Sequence, residues 1–277
     1  LGFFDEDLYK KQSAQSLKNL IEIATIQSTE SSNRIEGIVA PHQRIIELVQ
    51  EKTSPKSRSE EEIMGYRLVL QLMHQNHRHI PFTPNVIQQL HGEMYKFTFL
   101  RAGKWKATDN TIEEVSESGK KIVRFQPIPA YLTSQAMETL HDEFVQLRGK
   151  GSVEPLLLVA TYIIDFLCIH PFSDGNGRMA RLLTLYLLYN FGYEVGCYIS
   201  LEKIIEENKE SYYESLQKSS KGWHKGKHSL QPWWEYFWEL CPTVGIDLIR
   251  RLLRKERNDG HLECLGKGPF AKWKRMH

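Results

Sequence analysis

The stretch from Leu156 to Arg181 constrains the fold more than any other part of the chain. Leu156 to Ile169 is a largely apolar run in which Asp165 is the one charged residue. A helix apolar on nearly every side has to be covered by other elements, so this run belongs in a core. It is too short to cross a bilayer. A His170–Pro171 step ends it, because proline fixes φ and disfavours helix at the residue before it. Asp174-Gly175-Asn176-Gly177 then forms a polar turn, and Leu182, Leu183, Leu185, Leu187 and Leu188 mark a second buried helix. A tight, glycine-rich loop is therefore clamped between two core helices and opens the second of them.

Helical periodicity dominates elsewhere. Leu8 to Glu30 carries Leu17, Leu20, Ile21 and Ala24 on one face, and Ser31 to Gly37 reads as a short polar segment after it. Further helices are expected from Pro41, over about Ser59–Gln75, from Thr83-Pro84 to about Tyr95, and over about Leu132–Gly149. Thr83 is a cap and Pro84 suits the first helical position. Beyond the loop, helices are expected over Leu201–Ser220 and Pro232–Lys255. Residues 103–126 differ: short β-branched runs flank Ser116-Glu117-Ser118-Gly119-Lys120, which reads as a hairpin. The expected fold class is all-α with one β-hairpin.

Composition narrows the class. With 41% apolar residues in 277, the chain buries a core without staples. Its net charge of +2 points to no nucleic-acid partner. Cys168, Cys197, Cys241 and Cys264 form no C-x-x-C pair, which argues against a zinc site or a disulfide framework. The start of the sequence shows no basic segment leading an apolar one, so no secretory signal is read there and a cytoplasmic location is expected.

The loop itself carries the chemistry. Glycines let backbone N–H groups approach an anion, and a helix N-terminus favours negative charge. Arg178 and Arg181 lie three apart, on one helical face near that N-terminus. Two guanidiniums beside such a nest suit a polyphosphate. Asp174 suits magnesium, which takes few carboxylates and fills its sphere with phosphate oxygens and water. His170 has an intrinsic pKa near neutrality, right for accepting a proton from a hydroxyl.

The segment His170-Pro171-Phe172-Ser173-Asp174-Gly175-Asn176-Gly177-Arg178-Met179-Ala180-Arg181 resembles the signature of the Fic (Fido) family, His-Pro-Phe-x-(Asp/Glu)-Gly-Asn-Gly-Arg-x-x-Arg, at every defined position. The resemblance implies a helical Fic core and transfer of AMP from ATP to a Ser, Thr or Tyr hydroxyl of a protein. It implies that His170 is the base and that Asp174 holds Mg²⁺. Gly175, Asn176 and Gly177 would form the anion hole, Arg178 would contact phosphate oxygens, and Arg181 would take the γ-phosphate. It further implies that the hairpin is a flap on which the protein substrate docks by strand pairing. Val123, Arg124 and Phe125 would then border the nucleotide. Tyr212, first of a Tyr-Tyr step, becomes the base-stacking candidate. Ser220 stands where the family carries an amide, so that contact is open.

Ser32-Asn33-Arg34-Ile35-Glu36-Gly37 resembles the family's inhibitory pattern, (Ser/Thr)-x-x-x-Glu-(Gly/Asn), in the class that carries it N-terminal to the core. Ser32, Glu36 and Gly37 are its matching positions. Glu36 would pair with Arg181 and occupy the γ-phosphate subsite, leaving ATP poorly aligned. A misplacement of about 1 Å can cost about 10²-fold in rate.

The organisation expected is an N-terminal helical region with the inhibitory motif (1–58), a Fic domain (59–240) and a C-terminal helical basic segment (241–277). After Cys241 there are nine Lys/Arg against four acids, which usually means a solvated face. Alternatives are removal of AMP, with the glutamate positioning a water, or a nucleotide-sensing DNA-binding regulator built on the start of a winged helix. Self-modification and a homodimer are compatible with the resemblance; a membrane partner is not expected.

Overall fold

The computed structural model describes residues 6–115, 121–240, 262–265 and 272–275, with side chains over 18–113 and 122–240. In order it contains α1 (Glu6–Ile35), α2 (His42–Val49), α3 (Arg58–Asn76), α4 (Pro84–Met94), β1 (Ile112–Val115), β2 (Lys121–Phe125), α5 (Thr133–Lys150), α6 (Pro155–Ile169), α7 (Asn176–Asn190), α8 (Leu201–Glu207), α9 (Lys209–Ser220), β3 (Leu262–Leu265) and β4 (Lys272–Arg275). A further helix covers 231–240. No described helix is long and apolar enough to cross a membrane.

α7 is the central element. Every residue from Asn176 to Tyr189 except Gly177 is buried, with α6 and α3 packed against it and α1 touching it. The sequence reason is its leucine density; the consequence is that Arg178 and Arg181 enter the core with it, where charges persist only when paired. Helix starts follow local chemistry. The Thr83 hydroxyl accepts from the Val86 N–H at 3.2 Å, with Pro84 at the first helical position. Ser57 caps α3 in the same way, and the Glu154 carboxylate accepts from Leu156 and Leu157 at the start of α6. Asp165, the one acid of α6, accepts from Trp223 Nε1 at 2.6 Å.

Three expectations are corrected. Ser31 to Ile35 is not a separate polar segment after the first helix but the last turn of α1. Ser31, Ser32 and Asn33 are buried against the core, and the Asn33 amide bonds back to the Thr29 carbonyl. The expected helix over Leu201–Ser220 is two helices, broken at Asn208, whose side chain competes with its own backbone N–H for the Ile204 carbonyl. The C-terminal segment is not helical throughout. β3 and β4 pair antiparallel, and Gly266, Gly268 and Pro269 punctuate the sequence between them. Residues 241–261, where the final helix was expected to continue, lie outside the described residues.

The hairpin stands where it was expected. β1 and β2 pair antiparallel in a two-stranded sheet, with an irregularity between Ile112 and Glu113; residues 116–120 lie outside the described residues. Ile122 and Val123 are exposed. The Phe125 ring stacks on His224 at 5.4 Å, and His224 Nε2 donates to the Gln126 carbonyl at 2.7 Å, pinning the second arm to the segment after α9.

Candidate active site

The loop between α6 and α7 begins at His170, the C-cap of α6. His170 adopts a left-handed conformation, φ 52° and ψ 60°. For a residue other than glycine this stores about 1–3 kcal/mol of strain, which the surrounding contacts must hold. Its Nδ1 lies 3.2 Å from the Leu167 carbonyl. A carbonyl only accepts, so the proton is assigned to Nδ1 and the Nε2 lone pair is left free. Burial pulls the His170 pKa down to about 4; the Leu167 carbonyl acts against that and the Lys106 charge acts with it. The imidazole is neutral at pH 7, the state a base requires.

Phe172 is fully buried, stacked on the His91 ring at 3.7 Å with the planes nearly parallel. His91 matches no motif in the sequence, yet it braces this loop. Its Nδ1 accepts from the Gly103 N–H at 3.0 Å, so its Nε2 donates to the Asp174 carbonyl at 3.0 Å. Asn176 also braces the loop, accepting from the Phe172 N–H and donating to the Phe172 carbonyl. Its side chain is spent there, so what Asn176 can offer an anion is its backbone. Gly175 has φ 77°, and a Cβ there would collide with Met94 and Tyr95. The first turn of α7 has no side-chain cap, an arrangement that suits an anion because the first amides of a helix lack intrahelical partners. Asp174 is exposed at the mouth, one oxygen accepting from the Gly175 N–H at 2.7 Å.

The two arginines have different surroundings. Arg178 is fully buried in an ion pair with Glu62 at 2.8 Å. It also donates to the Tyr95 hydroxyl at 2.6 Å and to Asn33 Oδ1 at 3.4 Å. The sequence expects a phosphate contact from Arg178; in the structure its guanidinium is paired with Glu62 inside the core. Glu62, Tyr95 and Asn33 were not legible as its partners, because they come from α3, the end of α4 and α1.

Arg181 faces the last turn of α1. Its Nε donates to the Ser32 hydroxyl at 2.8 Å, and its Nη2 donates to the Ser32 carbonyl at 2.9 Å and to Glu36 Oε1 at 2.8 Å. Ser32 and Glu36 are four residues apart, so one helical face presents both. α1 stops there by a Schellman turn: the Gly37 N–H bonds the Arg34 carbonyl, the Ile38 N–H bonds the Asn33 carbonyl, and Gly37 takes φ 78°. The Glu36 carboxylate lies directly against Gly177, where any Cβ would overlap it. It is therefore within the nest at the start of α7.

Tyr212 is core, not an open stacking face. It is buried, with Tyr213, Trp233 and Tyr236 packed edge-on around its ring. Tyr213 is the exposed member of the pair. Of the flap residues, Val123 and Arg124 are exposed, and Phe125 is half-buried against His224.

Residues 81–188, which hold this loop, the start of α7 and the hairpin, match the Fic/DOC family. A Fido domain-containing protein of Dictyostelium discoideum is 30% identical over 96 residues, 35% of this chain and 63% of that protein. A probable protein adenylyltransferase of Aquifex aeolicus (strain VF5) is 27% identical over 99 residues, 36% of this chain and 28% of that protein. The chain thus spans less than two thirds of the length of these curated relatives. A Fic domain containing signaling protein from Bacteroides thetaiotaomicron VPI-5482 shares the fold, with a TM-score of 0.69 at 21% identity over 85% of this chain and 90% of that one.

Proposed function

We propose that this chain is a protein adenylyltransferase that moves AMP from ATP to a Ser, Thr or Tyr hydroxyl of a protein and is restrained by its own Glu36. The observation that carries the reading is one constellation. A neutral His170 with Nε2 free stands beside an uncapped helix N-terminus, and the Arg181 guanidinium there is engaged by Glu36 and Ser32.

The chemistry follows from those groups. The target hydroxyl gives its proton to His170 Nε2, and its oxygen forms a bond to the α-phosphorus of ATP. The bond from that phosphorus to the α,β-bridging oxygen breaks, and pyrophosphate leaves. The α7 amides face the charge that develops, and fixed donors there need no reorganisation. Arg181 holds the γ-phosphate and so sets the line of attack. The site fits a magnesium ion carried by the nucleotide: Asp174 is an exposed single carboxylate, and no cluster of three or more acids, histidines or cysteines exists among the described residues. When bound, the ion would neutralise charge on the α and β phosphates. The protein target would lie along the hairpin, whose exposed Ile122 and Val123 suit strand addition.

The test is intact mass after incubation with ATP and Mg²⁺, with a panel of candidate proteins and with the chain alone. A gain equal to one AMP, absent in His170→Ala, is expected. Label retained from γ-labelled ATP instead of α-labelled ATP would overturn the assignment to AMP transfer.

A further inference from the structure

We propose that Lys106 and Asn110 are the positioning residues of the catalytic loop, holding four successive carbonyls so that His170 stays in its left-handed pose and is tied to the hairpin. This rests on the reading of His170 as the base.

The need for such residues is visible in the chain. α6 ends at Ile169, and the last carbonyls of a helix have no intrahelical partner. Pro171 contributes no N–H, so the segment cannot satisfy itself. The partners come from the irregular segment before β1. Lys106 Nζ donates to the Ile169 carbonyl at 3.1 Å, and the Lys106 N–H donates to the Pro171 carbonyl at 2.8 Å. Asn110 Nδ2 donates to the His170 carbonyl at 3.3 Å and to the Phe172 carbonyl at 3.0 Å. Lys106 Nζ also donates to Asn110 Oδ1 at 2.9 Å, making one unit of the two side chains. Carbonyls 169 to 172 are thereby all engaged.

The same unit reaches the flap. The Gln126 side chain donates to the Asn110 carbonyl at 3.0 Å, at the far end of β2, and Asn110 lies two residues before β1. Both arms of the hairpin are anchored on the residue that holds His170. A target laid on the hairpin is thus referenced to the imidazole through Asn110. Lys106 is a buried cation, 3% exposed, that contacts no carboxylate directly among the described residues. A buried ammonium whose bonds all go to neutral oxygens costs stability. Its place under the loop is explained by what it orients.

The experiment compares Lys106→Met, Lys106→Arg and Asn110→Ala in a Glu36→Gly background. Three readings are taken: transfer rate, affinity for a non-hydrolysable ATP analogue, and the ¹⁵N ring shifts of His170. Lys106→Met and Asn110→Ala should lower the rate about 100-fold, with nucleotide affinity within about twofold and the His170 shifts moved. Lys106→Arg, which can still donate to the Ile169 carbonyl, should recover about tenfold of that loss. The proposal is overturned if the His170 shifts stay in place in folded Lys106→Met and Asn110→Ala, or if any loss of rate follows nucleotide affinity. If the parent transfers no AMP at all, the reading of the reaction fails, and the His170 shifts alone still decide the positioning role.

Discussion

Replacing Glu36 by glycine should make the protein more active and less stable at once. The Glu36–Arg181 contact is a charge-assisted hydrogen bond at 2.8 Å, and such bonds contribute about 1.5–3 kcal/mol net. Arg181 is 2% exposed but the Glu36 side chain is 33% exposed, so solvent screening favours the lower half of that range. About 2 kcal/mol corresponds to roughly a 30-fold change in an equilibrium constant. A γ-phosphate competing for the same guanidinium should gain about that factor in the Glu36→Gly variant. Stability moves the opposite way. Arg181 keeps its two bonds to Ser32, so the buried charge is not orphaned, and the loss should stay near about 1–2 kcal/mol. Saturating ATP should restore the melting temperature more in the variant than in the native chain, because a phosphate then fills the place of the lost carboxylate. The assay is AMP incorporation beside thermal melts with and without ATP. Glu36→Gln separates charge from helix-end effects: it retains an acceptor for Arg181 and should give an intermediate gain. Incorporation unchanged within about twofold in Glu36→Gly would falsify the competition argument.

Other expectations follow from the same geometry. Because burial holds His170 neutral down to about pH 4, the transfer rate should be flat from about pH 5.5 to 7.5; an acidic limb centred near an unperturbed 6.5 would show the imidazole to be solvated. The histidines also bear on stability. His74, His91 and His170 are all pulled to about 4, chiefly by burial, so the unfolded chain binds more protons below about pH 6.5. Folding should therefore weaken as pH falls from about 6.5 toward 4, which chemical denaturation at stepped pH measures. Arg178→Ala should lower stability by about 3 kcal/mol, the low end for a broken buried pair, because Glu62 keeps its exposed partner Arg58. A change confined to nucleotide affinity, with the melt unmoved, would instead return Arg178 to the phosphate site.

The sequence was most legible where one segment carries its own chemistry. The His170–Arg181 loop, the Thr83-Pro84 helix start and the hairpin are local patterns, and the structure places them as expected. The place of Glu36 beside Arg181 was legible only through a pattern, since nothing local says that α1 ends against α7. Arg178 and Arg181 look alike in sequence, two arginines on one face. What separates them is tertiary: Glu62 reaches one and Glu36 the other. The surroundings of Tyr212 were not legible for the same reason, since aromatic rings from the helix over 231–240 close over it. Lys106, Asn110 and His91 carry no periodic or motif signal of their own; their role exists only once carbonyls of a distant loop are brought to them.

The Schellman end of α1 has a quantitative consequence for Arg181. The carboxylate is delivered by a single terminal turn, secured by two backbone bonds around Gly37 and a Lys209 bond to the Ile35 carbonyl at 3.0 Å. Terminal turns open at far lower cost than whole domains do. An opening cost of about 2.7 kcal/mol would leave roughly one molecule in a hundred with a bare guanidinium at any moment. Under the proposed function the restraint would be graded, with a leak set by how firmly that turn is wound, and small changes at its last residues would tune the leak without disturbing the loop that holds His170.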